Sequence, residues 1–179
     1  MNDSQLVQYA FEEGFSDAAV VETAQIPVDP MFRPFCAENL CGKYAVNYSC
    51  PPDCGTPEQM RQRLLSRRRA LVLQSVWEIS DLTDNKAIRS AKGQHNAAAI
   101  RLAKRLRAEG VDGFIVGASG CALCDPCEIV HGRPCAHPDL QYSCMSAYCV
   151  FVRELTEKCG IDYDCGTGLL TFFGMYVCD

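Results

Sequence analysis

The amino-acid sequence predicts a layered α/β fold in a single domain, residues 1–179, with cysteine-rich loops at the ends of strands. Short apolar runs suited to buried strands alternate with segments of helical spacing, which is typical of a sheet covered by helices. The chain has 179 residues, 48% of them hydrophobic, which is enough for one core of ordinary size. Eight of its thirteen cysteines fall into two compact groups.

Four segments are predicted to be helical, mainly because their apolar residues recur every three or four positions. Leu6, Val7 and Ala10 show this spacing in the first segment, which Gly14 ends. The second begins at Thr56, a typical N-cap residue, with proline at the first helical position. The predicted helices cover residues 4–13, 56–67, 85–109 and 144–158.

Four further runs are predicted to be strands because they are short and rich in apolar or β-branched residues. The third run is followed by Gly117 to Gly120, which turns directly into a cysteine group. Three prolines, Pro27, Pro30 and Pro34, mark a loop before the other cysteine group. The predicted strands cover residues 18–21, 70–76, 114–116 and 169–177.

Composition argues against two classes of protein. The net charge is -5. Proteins that bind nucleic acids without regard to sequence are usually basic. The basic stretch 61–69 is interpreted as the solvated face of a helix. No segment reaches the ~18 apolar residues needed to cross a bilayer, and the N-terminus lacks the features of a signal peptide. We therefore expect a cytoplasmic protein that binds neither nucleic acids nor membranes.

Thirteen cysteines are the most unusual feature of the composition. Their number is odd, no export signal is present, and a core of this size does not need disulfides. Because the cytosol keeps thiols reduced, a high density of cysteines there more often indicates metal binding. The sequence therefore predicts thiolate-bound metal.

The second cysteine group consists of Cys121, Cys124, Cys127 and Cys135. Its Cys-x2-Cys-x2-Cys spacing allows one tight loop to direct three thiolates at one cluster, as in bacterial ferredoxins. Structural zinc more often uses two separate Cys-x2-Cys or Cys/His pairs. We predict an iron–sulfur cluster with Cys135 as the natural fourth ligand, and zinc is the alternative.

The first cysteine group consists of Cys36, Cys41, Cys50 and Cys54, and its spacing is looser. Four cysteines in nineteen residues rarely occur without a cause, and Pro51 directly after Cys50 would stiffen the loop. We predict a second cluster here, again with zinc as the alternative, so that the chain would hold two [4Fe-4S] clusters. The first cysteine loop spans residues 36–54 and the second spans residues 121–135.

Other candidate ligands are interpreted more simply. His131 and His137 could replace a thiolate but are expected to be loop histidines that form hydrogen bonds near the second group. Five cysteines lie outside both groups, and each alone is interpreted as a small buried hydrophobic residue. A further metal site or a redox pair among them is the alternative. These five are Cys144, Cys149, Cys159, Cys165 and Cys178.

Two motifs and the tail carry a resemblance to a known family. The first motif is Cys41-Gly-Lys-Tyr-Ala-Val-Asn-Tyr-Ser-Cys50-Pro-Pro, followed by Gly55-Thr-Pro-Glu. The second is Gly117-Ala-Ser-Gly-Cys121-Ala-Leu-Cys124-Asp-Pro-Cys127, then Gly132-Arg-Pro-Cys135-Ala-His-Pro. The tail contains Ser143-Cys-Met-Ser-Ala and Gly160-Ile-Asp. Together they resemble domain of unknown function 2284, a family of predicted metal-binding proteins.

The resemblance covers nearly the whole chain and implies metal binding, but it implies no particular activity. Gln141 and Ser146 depart from the family pattern, in which a basic and an acidic residue are common at these positions.

Three functions are compatible with the sequence. The first is electron transfer or other redox chemistry with a redox partner protein. The second is an enzyme that uses an open iron site of a cluster as a Lewis acid. The third is a structural or regulatory zinc protein, in which metal holds the loops folded. The sequence identifies no catalytic residues, and it leaves enzymatic activity and oligomeric state open.

Overall fold

The computed structural model describes residues 1–79 and 81–179, and a five-stranded mixed sheet lies at its centre. The strand order is β1-β2-β5-β3-β4. All neighbouring strands are antiparallel except β3 and β4, which are parallel. The α/β prediction is confirmed. The strands are β1 Asp17–Glu22, β2 Arg69–Glu78, β3 Gly113–Gly117, β4 Ser143–Cys144 and β5 Leu169–Cys178.

Side-chain hydrogen bonds at the N-cap mark where three of the helices begin. Asn2 and Thr56 each accept a hydrogen bond from the backbone N–H three residues later and form a capping box with Gln5 and Gln59, respectively. Asp84 accepts hydrogen bonds from two backbone N–H groups of the long helix. Over the described residues, the α-helices are α1 Asp3–Glu12, α2 Arg33–Ala37, α3 Pro57–Leu65, α4 Asn85–Ala108 and α5 Val152–Cys159.

The sheet separates two apolar layers. Leu71 and Leu73 of β2 are fully buried against α1 and α4, whereas Ala70 and Val72 are fully buried on the opposite face, against α3 and α5. This alternation follows from the two-residue period of a strand, whose successive side chains point to opposite faces. The sheet is therefore covered by helices on both sides.

The predicted helix over residues 144–158 is only partly correct. The structure forms strand β4 at Ser143–Cys144, a turn, and a shorter helix α5 from Val152. Gly117 of β3 is paired with Cys144 and accepts a hydrogen bond from the Met145 N–H, 3.1 Å from its oxygen. Cys149 adopts a positive φ of 57°, which interrupts a helix. Long-range pairing with β3 therefore overrides the helical spacing of this segment.

The loop after the first strand contains more regular structure than its prolines indicate. A 3-10 turn at Pro30–Phe32 leads into α2, which has proline in its first turn. This short helix carries Cys36, the first residue of the first cysteine group. No helix within residues 1–79 and 81–179 is long and apolar enough to span a membrane.

Candidate metal centre

The turn that leads into the second cysteine group is fixed by helix α4. The Asn96 side chain accepts a hydrogen bond from the Ala118 N–H and donates one to the Ser119 hydroxyl, each at 2.9 Å. Glycine is required at position 117, because a Cβ there would lie 2.6 Å from the Tyr142 ring. The strand and the helix together therefore determine where Cys121 lies.

All four residues of the second cysteine group line one small cavity. Cys121 is buried, and the other three are partly exposed. Cys135 lines the same cavity although it follows the 3-10 turn Glu128–His131. The four residues that the sequence predicts as one ligand set therefore lie around the same cavity.

Burial disfavours the thiolate form in this group. Burial raises the pKa of Cys121, although backbone N–H groups of Leu123 and Tyr142 act to lower it. Partial burial and the neighbouring thiols Cys127 and Cys135 raise the pKa of Cys124. A thiol with a raised pKa stays protonated at neutral pH, so a stable thiolate needs a nearby cation. A soft metal would supply such a cation, because thiolate sulfurs are soft donors.

The two loop histidines differ in position. His137 lines the cavity of the second group, together with Gln141. His131 is exposed and ends the 3-10 turn. Of the two, only His137 is therefore placed to contact a group bound by the four thiols.

The four cysteines of the first group differ widely in exposure. Cys50 is 5% exposed, Cys36 and Cys54 are partly buried, and Cys41 is exposed. One turn joins two of them, because the Cys54 N–H donates to the Cys50 carbonyl at 3.0 Å. Burial raises the pKa of Cys50 to about 12, so this thiol also needs a cation to ionise at neutral pH.

A fifth cysteine, Cys144 of β4, packs against the same core layer as Cys54 of the first group. Burial is the main cause that raises the pKa of Cys36, Cys50 and Cys54. Among the cysteines, Cys144 makes the largest contribution in the same direction. Cys144 stands in the tail segment that carries the family resemblance, but its place next to β3 follows only from the pairing of β4 in the sheet.

The Arg33 guanidinium connects the first group to the segment after β4. It donates hydrogen bonds to the Gly55 and Ala147 carbonyls, both at 2.7 Å, and lies 4.0 Å from the Cys54 sulfur. Its positive charge acts to lower the pKa of Cys36 and Cys54. The Arg33 Nε atom is buried and has no hydrogen-bond partner. A negatively charged group bound by the thiols would be favourable next to this cation.

The two cysteine loops are interlocked by buried polar side chains. Asn47 donates to the Cys121 carbonyl at 2.9 Å, and the Ser49 hydroxyl accepts from the Cys121 N–H at 2.8 Å. Both side chains are almost fully buried and satisfied by hydrogen bonds. Gly120 lies directly against the first group, because a Cβ there would be 2.8 Å from the Cys50 sulfur. The two groups are therefore neighbours in space.

Sequence reasoning missed several residues of this region. Asn47 and Ser49 lie between Cys41 and Cys50 in the first family motif. Polar residues at these positions were a signal in the sequence that could have pointed to buried hydrogen bonds. Arg33 lies outside the first cysteine loop and had no comparable signal. Its contacts are visible only after the chain has folded.

The remaining cysteines lie elsewhere in the fold. Cys149 and Cys178 are fully buried, and Cys159 and Cys165 are partly exposed. All thirteen cysteines fall within the described residues, and none of them forms a disulfide. Across residues 1–79 and 81–179, no three His, Cys, Asp or Glu side chains form a group that could hold a single metal ion.

A mixed α/β sheet with two interlocked, cysteine-rich loops defines a cysteine-rich α/β protein. The chain belongs to the family DUF2284, described as a predicted metal-binding protein, which matches residues 19–177. The resemblance found in the sequence motifs is thereby confirmed. Neither a curated protein nor a solved structure gives a significant match to the chain.

Proposed function

We propose that the protein binds two [4Fe-4S] clusters, one at each cysteine group, and transfers electrons. The convergence of Cys121, Cys124, Cys127 and Cys135 on one cavity carries this proposal. Three thiols in one short loop and a fourth from farther along the chain are the ligand arrangement of ferredoxin loops. When bound, such clusters supply reversible one-electron chemistry.

The surrounding residues suit this role. The Arg33 guanidinium beside the first group would offset the negative charge of a thiolate-bound cluster, and charge and hydrogen bonding set cluster potentials. The low exposure of Cys50 and Cys121 would limit the access of water to the ligand sulfurs. These features favour a centre that changes charge by one electron and remains fully ligated.

Contact between the two groups favours transfer from one to the other. Gly120 lies against the Cys50 sulfur, and the next residue, Cys121, belongs to the second group. An electron delivered by a reduced partner protein to one group could therefore reach the other over a short path and leave to an oxidised partner. We expect redox proteins as partners, without nucleic acids or membranes, in the reducing cytoplasm.

A second candidate function is an enzyme with an open iron site in the second group. Its support is the presence of His137 and Gln141 in the cavity, where polar side chains could contact a substrate. A structural zinc protein is the remaining alternative. Metal analysis distinguishes zinc from iron. The spectrum of a Cys135→Ser variant distinguishes an electron carrier from an enzyme.

The first prediction concerns metal identity. Protein purified without oxygen is expected to be brown, to contain about eight iron and about eight acid-labile sulfide per chain, and to absorb near ~400 nm. The absorbance is expected to bleach on reduction with dithionite, because the clusters accept electrons. Stoichiometric zinc without sulfide would refute the proposal and favour the zinc alternative.

The second prediction concerns full sulfur ligation of the second group. Cys135→Ser is expected to change the electron paramagnetic resonance spectrum and shift the reduction potential, because oxygen or no ligand would replace sulfur. His131→Ala is the control, because His131 is exposed and does not line this cavity, and it is expected to leave the spectrum nearly unchanged. An unaltered spectrum in Cys135→Ser would favour the enzyme with an open iron site.

A further inference from the structure

We propose that Tyr48 of the first cysteine loop is a positioning residue for Cys135, the fourth ligand of the second metal centre. The phenol hydroxyl of Tyr48 donates a hydrogen bond to the Arg133 carbonyl at 2.9 Å. Arg133 stands two residues before Cys135 in the sequence. The inference rests on the proposed function only in taking Cys135 as a metal ligand. It gives a residue of the first loop a role in the second centre.

The segment that carries Cys135 is exposed. The 3-10 turn Glu128–His131 ends at Gly132, where the backbone adopts a positive φ of 63° and the chain changes direction. The residues on both sides of Cys135, Pro134 and Ala136, are exposed. Exposed segments of this kind open more easily than buried ones. A contact with another part of the fold is therefore needed to keep Cys135 at the cavity.

The other hydrogen bonds of Arg133 lie within its own segment. Its N–H donates to the Glu128 carbonyl at 3.1 Å, and its guanidinium forms an ion pair with the Glu128 carboxylate. These two residues are only five positions apart and belong to one exposed turn. The bond from Tyr48, in contrast, joins residues that are 85 positions apart. It therefore ties this turn to the first cysteine loop.

Tyr48 also belongs to the lining of the cavity of the second group. Tyr48 and its neighbour Asn47 line this cavity together with the four cysteines of the group. Tyr48 is partly buried, and Asn47 is almost fully buried. The first loop therefore supplies part of the wall around the thiols that are predicted to bind the second cluster.

Three consecutive residues of the first loop hold both ends of the second group. Asn47 donates to the Cys121 carbonyl at 2.9 Å, and the Ser49 hydroxyl accepts from the Cys121 N–H at 2.8 Å. Tyr48 lies between these two residues in the sequence and holds Arg133. Cys121 is the first cysteine of the second group, and Arg133 comes just before the last. The first loop thereby helps to set the distance across which the four ligands meet.

This arrangement bears on whether the second centre is closed or open. With the Tyr48 hydroxyl in place, Cys135 stays at the cavity and can occupy the fourth ligand position. Without the hydroxyl, the turn that carries Cys135 opens more often, and water can reach that position during each opening. Tyr48 therefore favours the fully sulfur-ligated centre of an electron carrier over an open iron site.

The test compares Tyr48→Phe with the wild type, each as the full chain purified without oxygen. Phenylalanine keeps the ring and removes only the hydroxyl, so iron and sulfide are expected to stay at the wild-type level. N-ethylmaleimide is expected to label Cys135 about fivefold faster, which is the effect of one neutral hydrogen bond on an opening equilibrium. Mass spectrometry follows each cysteine separately, and the labelling rate of Cys127 is expected to be unchanged.

Tyr44→Phe is the matched control. Tyr44 is a partly buried tyrosine of the same loop, but it lines a different cavity, beside Pro51 and Pro52. Its variant is expected to be labelled like the wild type.

Equal labelling of Cys135 in Tyr48→Phe and in the wild type would overturn the inference. An equal acceleration at Cys127 would overturn it as well, because the hydroxyl would then stabilise the fold in general rather than position Cys135. Zinc without sulfide in the wild type would refute the proposed function alone, since the labelling rates of zinc-bound protein still test the role of Tyr48.

Discussion

Cys124→Ser is expected to remove about half of the iron and to leave the first group filled. Cys124 lines the cavity of the second group, and the thiols that raise its pKa, Cys127 and Cys135, belong to the same group. The thiols of the first group likewise influence one another rather than Cys124. Loss of one ligand should therefore empty one centre only. Iron and sulfide analysis with quantitative spin counting measures this outcome.

A matched control for this variant is Cys165→Ser. Cys165 lies outside both groups, where its sulfur is 3.7 Å from the Gln74 amide nitrogen, and a serine hydroxyl can accept the same hydrogen bond. Iron content is expected to stay at the wild-type level. If Cys124→Ser loses all its iron and remains folded by circular dichroism, both groups serve one site and the assignment of two centres is wrong.

Gly120→Ala is expected to empty the first centre while the fold remains intact. The added Cβ would lie 2.8 Å from the Cys50 sulfur, so one of the two atoms must move. The sulfur is at the end of a short side chain and can rotate away, which costs less than shifting the backbone of the turn. Cys50 would then no longer face the other thiols. We expect about half the wild-type iron with a near-native urea midpoint.

Gly93→Ala is the control for adding a methyl group. Gly93 lies inside α4 with no atom within 4 Å of a Cβ, so alanine is expected to keep full iron content. Its helix should become more stable by ~1 kcal/mol, because alanine is the better helix former. Full iron in Gly120→Ala would show that Cys50 does not bind metal or that the turn adapts. The signal that remains should differ from that of Cys124→Ser, since each variant empties the opposite centre.

Much of the fold was predictable because it depends on local patterns. The strand and helix periods located β1, β2, β3 and β5, and the N-cap signal at Thr56 located the start of α3. The segment after residue 143 was not predictable in the same way. Its apolar residues fit a helix, but pairing of Cys144 with β3 makes it a strand and a turn. Pairing with a distant strand is not visible in a local window.

The sequence alone determined the α/β class, the family and the two cysteine groups, because these follow from short-range spacing of residues. Only the tertiary structure decided that the two groups interlock through Asn47 and Ser49. The physical reason is that Asn47 and Ser49 lie far from Cys121 in the chain and become its hydrogen-bond partners only after folding. Spacing indicates which cysteines can share a loop, whereas packing determines which sulfurs come together around one centre.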